Sequence, residues 1–228
     1  MPNKSSSYFD AELNQISHFQ AFPSMRPFVG SNYQLSENGR LLLIAESYYF
    51  PSNSTKHLEA EKWYELNESE LSSEELSYIN CRGLLESPWK PEGHAIYREV
   101  NRCLESTVPS SDDRGVSHVA FANTFYRPAV SSGGSFRHCC KPIDWEKAVS
   151  LGEAVIRALE PDLVVYVTKY GWDSVGRFVA AKVPEVSFDF TCHPADPRHW
   201  NVKSYAHGRP KFMKILQSIF SKNQTPRP

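Results

Sequence analysis

Four short apolar runs, each ending in polar residues, punctuate the chain: Leu41-Leu42-Leu43-Ile44, Val119-Ala120-Phe121-Ala122, Leu163-Val164-Val165-Tyr166-Val167 and Val186-Ser187-Phe188-Asp189-Phe190. Their length suits strands, and the spacing between them turns helical. Helices are predicted over residues 57–66, 91–104, 144–159, 173–181 and 211–220. The clearest is 144–159, where Asp144 is placed to cap and Ala148, Leu151, Val155, Ile156 and Leu159 share one face. Pro91 falls near the first turn of its helix, a place proline favours. Residues 1–20 read as a loosely ordered first segment, and 22–30, with two prolines and a glycine, as an irregular lead-in. Asn38-Gly39 is a turn signal. Residues 67–76 form an acidic segment, 109–115 a polar loop, and 126–142, with Pro128, Gly133, Gly134 and Pro142, a long loop.

Strand and helix patterns thus alternate four times. That implies parallel strands, right-handed crossovers and helices on both faces. The expectation is a single α/β domain over 1–228, a three-layer α/β/α sandwich on a central four-stranded parallel sheet. In such a sheet ligands bind outside the carboxyl ends of the strands. Those ends carry Glu46-Ser47-Tyr48-Tyr49, Asn123-Thr124, Lys169-Tyr170-Gly171 and Cys192-His193-Pro194. Glu46, Asn123 and His193 are therefore expected to converge on one pocket.

Composition adds bounds. With 228 residues, 40% hydrophobic and 22% charged, the chain has enough apolar material for one large core. No apolar stretch reaches the roughly 18 residues of a membrane helix, and the polar start, Met1 to Ser7, lacks a secretory core. Five cysteines without repeated spacing read as reduced thiols in a cytoplasmic protein. Charge is uneven: residues 113–228 hold 16 Lys+Arg against 10 Asp+Glu, a net +6, leaving −7 for residues 1–112. The basic half holds most strand ends, which suits an anionic ligand.

Candidate chemistry follows from residue type. A carboxylate at Glu46 can orient or activate water; a Glu in that place also serves as a cap or ion-pair partner. Asn123 offers donor and acceptor together, enough to read a base edge, or to bond the neighbouring loop backbone. His193 can donate to charge developing on a leaving group, or simply end a turn. Pro197-Arg198-His199-Trp200 adds a cation and a large ring to the same loop. His138-Cys139-Cys140 with Cys192-His193 matches no zinc spacing. Neither a phosphate-binding glycine loop nor a Gly-x-Ser-x-Gly elbow occurs, which weakens a serine hydrolase built on Ser47. The glutamates between Glu59 and Glu75 read as a solvated helical face.

Taken together, the strand ends resemble the uracil-DNA glycosylase superfamily, in a divergent branch with a Glu-Ser-x-Tyr first motif. Ala45-Glu46-Ser47-Tyr48-Tyr49 stands where members carry their first motif. Phe121-Ala122-Asn123-Thr124 matches the strand-end Asn, and His193-Pro194-Ala195-Asp196-Pro197 is similar to the His-Pro-Ser-Pro loop. Ala45 replaces a Gly, Tyr48 a Pro, and Ser47 a water-activating Asp. The resemblance implies hydrolysis of the N-glycosidic bond of uracil or another deaminated base, flipped out of the DNA. Glu46, Ser47 and His193 would be catalytic, with Glu46 placing the water and His193 stabilising the departing base. Tyr49, Phe50 and Asn123 would bind the base, and Arg198, His199 or Trp200 would contact DNA and fill the gap in the stack. It implies no cofactor and no metal, a monomer acting on single- or double-stranded DNA, and a place in base-excision repair. The alternative it leaves open is a non-catalytic member that binds nucleic acid or nucleotides.

Overall fold

A computed structural model describes residues 5–35, 39–89, 94–108, 114–130, 134–202 and 206–220. Asn38, Pro91, residues 109–113 of the polar loop and Gly133 lie outside the described residues. The strands are β1 (Phe28–Val29), β2 (Leu41–Ala45), β3 (Val119–Asn123), β4 (Leu163–Tyr166) and β5 (Ser187–Phe190). They form one sheet in the order β1-β3-β2-β4-β5. β3, β2, β4 and β5 run parallel, and each is one of the four apolar runs. β1 adds an antiparallel fifth strand beside β3. The expected four-stranded sheet is thus extended by one, from the segment read as an irregular lead-in. Two residues are too short to display a period.

Side chains alternate between sheet faces. All five residues of β2 and all five of β3 are buried, so both faces are covered. That is why these strands are written as unbroken apolar runs. On one side of the chain's contacts helix Pro142–Leu159 packs with Arg177–Lys182; elsewhere Ala95–Glu105 packs with Arg209–Phe220. β5 is an edge and only half-buried.

Several expectations need correction. Asp144 does not precede its helix. Pro142 opens the helix at its first position, and Asp144 sits in the first turn, accepting the Lys141 N–H at 2.8 Å. The helix ends at Glu160, which takes a left-handed φ of 44° just before Pro161. Residues 5–20 are not a loose tail: short helices Asp10–Leu13 and Ser17–Ala21 bury Leu13 and Phe19 in the core. The acidic stretch is not all solvated. Ser72 starts helix Ser73–Ile79, and Glu75 is buried at 7% exposure, bonded to Ser54 and to the Ser72 N–H. The helix expected from Asp173 starts earlier. Lys169–Gly171, a π turn over Trp172–Gly176 and Arg177–Lys182 follow one another without a break. It begins hard against the sheet: a Cβ on Gly171 would meet Thr124 Oγ1 and Thr168 Cγ2, each at 2.6 Å.

Candidate functional site

β2 lies between β3 and β4, so the chain leaves it first to one side and then to the other. The point where strand order reverses, at the carboxyl ends of β2 and β4, is where open parallel sheets form a ligand crevice. Glu46 is the first residue beyond β2, and Thr168 lies just past β4. The Thr168 hydroxyl donates to Glu46 Oε2 at 2.9 Å, joining the ends of the two strands. Glu46 Oε1 accepts the Ser135 hydroxyl at 2.8 Å and the Phe136 N–H at 2.7 Å. Three donors from two loops thus fix one carboxylate, leaving it acceptor capacity to spare.

His193 follows β5. Its Nδ1 accepts the Ala195 N–H at 3.1 Å, which puts the neutral ring's proton on Nε2. Burial lowers its pKa below the ordinary 6.5, while the negative charges of Glu46 and Asp196 pull the other way. The Glu46 charge thus reaches His193 from beyond the end of β2. Tyr49 joins them. Its hydroxyl donates to the Gly134 carbonyl at 3.5 Å, and burial together with the Glu46 charge raises its pKa.

Tyr170, from the strand end Lys169-Tyr170-Gly171, and two residues outside the expected set, Thr168 and Ser135, surround Glu46. Tyr170 is raised by burial first, with Cys140 and Glu46 adding to it. Its ring lies 5.8 Å from Phe125, which stacks on Phe136 at 4.3 Å, and the Arg137 guanidinium sits 4.9 Å from the centre of the Tyr170 ring. Thr168 directly follows the third apolar run, so the strand-end rule itself would have found it. Ser135 has no such signal; it lies in an irregular loop far from any strand.

The remaining expected residues divide. Asn123 is buried at 6% exposure, paired in register with Ala45. Its side chain acts on the Tyr48 phenol, which burial raises and Asn123 opposes. The Tyr48 hydroxyl in turn donates to the Met25 carbonyl at 3.3 Å. The Ser47 hydroxyl is buried with no hydrogen-bond partner among the described residues. Phe50 goes into the core, edge-on to Trp63 at 5.4 Å and to His57 at 5.1 Å. Trp200 corrects the expectation of a wedge for the base stack. It is 1% exposed, donates Nε1–H to Glu99 at 3.2 Å and packs on Phe212. An indole beside a helix of apolar residues gains more by burial than by exposure. Arg198 stays outside, its side chain 82% exposed, and both Arg198 and His199 pair with Asp196.

All five cysteines are free thiols, and among the described residues no three His, Cys, Asp or Glu side chains are arranged to hold a metal. No described helix is long and apolar enough to cross a membrane. A shallow groove of about 490 Å³ opens elsewhere, between Ile16 and helix residues Leu151 and Ala158. It contains none of the strand-end residues. No protein-family model matches the chain, and comparison with curated proteins finds no match.

Proposed function

We propose that the chain is a glycosylase-like protein that hydrolyses the N-glycosidic bond of uracil or another deaminated base in DNA, built as an α/β/α sandwich of the uracil-DNA glycosylase type. One observation carries the reading. A carboxylate, Glu46, and a histidine whose Nδ1 is taken by the Ala195 N–H, His193, both follow parallel strands at the carboxyl end of one sheet, and the Glu46 charge counters the lowering of the His193 pKa by burial. Hydrolysis of this bond needs negative charge near the developing cationic sugar and a donor for the departing base. Glu46 supplies the first and orients the water; His193 supplies the second. A neutral imidazole suits this work, since its Nδ1 can accept the Ala195 N–H while Nε2–H donates to the base. Asn123 reads the base edge from the neighbouring strand, and Tyr49 flanks it. Arg198 and His199 meet the phosphate backbone.

The test is direct. DNA containing uracil or hypoxanthine, incubated with the purified protein, acquires abasic sites. His193→Ala lowers the rate about 10²–10³-fold, the usual loss for one donor aimed at developing charge, and Asn123→Ala weakens it too. Activity unchanged in both variants refutes these roles.

A second reading has its own support. Glu46 is already held by three protein donors, and Asn123 engages Tyr48. Such a site suits binding without turnover. Measurable nucleic-acid binding with no base released from a broad panel of lesions selects it.

A further inference from the structure

One buried charged pair is not used by the proposed reaction. Arg127 and Asp144 are 1% and 0% exposed. The guanidinium grips the carboxylate with two prongs, Nε to Oδ1 at 2.8 Å and Nη2 to Oδ2 at 2.6 Å. Its other N–H groups reach the carbonyls of His57 at 2.7 Å and Cys139 at 2.6 Å. Asp144 also accepts the Tyr64 hydroxyl at 3.0 Å and the Lys141 N–H at 2.8 Å.

An apolar pair of similar size would fill this space at no desolvation cost, so a buried ion pair is poor value as a source of stability alone. What it supplies is orientation, because a planar fork on a carboxylate admits one geometry. The oriented element is the short turn Phe136–His138. Arg127 lies 5.1 Å over the Phe136 ring and holds the Cys139 carbonyl at the far end of the turn. The Phe136 carbonyl takes the N–H groups of Cys139 at 3.0 Å and Cys140 at 2.9 Å. Ser135 opens the turn by accepting the Arg137 N–H at 3.3 Å. The faces left over, the Phe136 N–H and the Ser135 hydroxyl, are the two donors on Glu46 Oε1.

We propose that Arg127 and Asp144 are positioning residues for Glu46, acting through the Phe136–His138 turn; the proposal rests on Glu46 being a working group of the site. Arg127→Lys keeps the charge and removes the fork. In the full chain, amide hydrogen exchange at Phe136 then speeds at least about tenfold while the amides of β2 and β4 stay within about twofold, the pattern of local rather than global opening. Base release loses kcat, with KM held within about twofold, because a misplaced catalytic group costs chemistry more than binding. Tyr64→Phe removes a single bond to Asp144 and moves the Phe136 amide the same way, by about two- to threefold.

Unchanged Phe136 exchange in a folded Arg127→Lys protein overturns the proposal. So does acceleration spread equally over β2 and β4, which marks a merely structural pair, or a loss confined to KM. Where Arg127→Lys fails to fold, the Phe136 amide in Tyr64→Phe decides on the same criterion. If the unmodified protein releases no base, the exchange result still judges the positioning, and that failure falls on the proposed function alone.

Discussion

His193 shows how much one backbone hydrogen bond can decide. The Ala195 N–H occupies Nδ1, so the imidazole offers a donor at Nε2 whenever it is neutral. Burial lowers its pKa from 6.5, so the neutral form persists to more acidic pH than in a free histidine. Base release should therefore stay level from about pH 8 down through 6.5 and fall only below it. A pH–rate profile checks this, and an acidic limb centred above 6.5 contradicts it. The placement of Glu46 and His193 beyond the ends of parallel strands was legible because the apolar runs before them mark where those strands stop. Phe50 and Trp200 were misjudged for a plain reason. An aromatic ring after a strand has the same sequence signature whether it faces a ligand or the core, and only packing against Trp63 or Phe212 tells the two apart. Ser135 was invisible, since its role comes from a loop folding back across the sheet.

Among the elements, the four parallel strands were readable because burial on both faces leaves no polar interruption. β1 was not, because a two-residue strand has no pattern to read. Helix Ser73–Ile79 was readable and overlooked. Ser72-Ser73-Glu74-Glu75 is a capping box, with reciprocal bonds of 3.1 and 2.8 Å, set within a run of acids that has the same composition as a solvated face. The edge strand β5 carries a safeguard. Ser187 and Thr191 direct their N–H groups toward β4, so the backbone groups of Phe190 point off the sheet. There the Asp189 carboxylate takes the Phe190 N–H at 2.8 Å, and Lys211 donates to the Phe190 carbonyl at 2.8 Å. An open edge invites pairing with a second chain. The double variant Asp189→Ala, Lys211→Met should therefore self-associate with rising concentration in light scattering. A variant that keeps the parent's mass over the same concentration range removes this role from the pair.

The whole molecule carries an acid sensitivity that the site does not explain. His18 packs against Phe22 and Tyr126, 5.1 and 5.2 Å away, and its Nε2 has no hydrogen-bond partner among the described residues. Burial, helped by the Lys147 charge, takes its pKa from 6.5 down to about 3. The unfolded chain binds a proton below 6.5 and the folded one does not until about 3, so stability is complete above 6.5 and declines between those limits. The slope is at most about 1.4 kcal/mol per pH unit, or about 1 kcal/mol in all by pH 5 once partial exposure is discounted. Urea unfolding at pH 7 and pH 5 should show this difference, and His18→Phe should shrink it. An equal loss in the variant assigns the sensitivity to other groups.

At the same scale, the sheet brings to its carboxyl end residues far apart in sequence: Glu46 after β2, Thr168 after β4, His193 after β5. The claim that this site breaks an N-glycosidic bond is tested most directly by counting free base released from uracil-containing DNA. The count is made for the unmodified protein, Glu46→Gln, His193→Gln and the double variant. The account predicts release by the unmodified protein, a loss of about 10²-fold or more in each single variant, and a double variant little worse than either, because the two groups act on one transition state. No free base from the unmodified protein, or independent losses that multiply in the double variant, contradicts it.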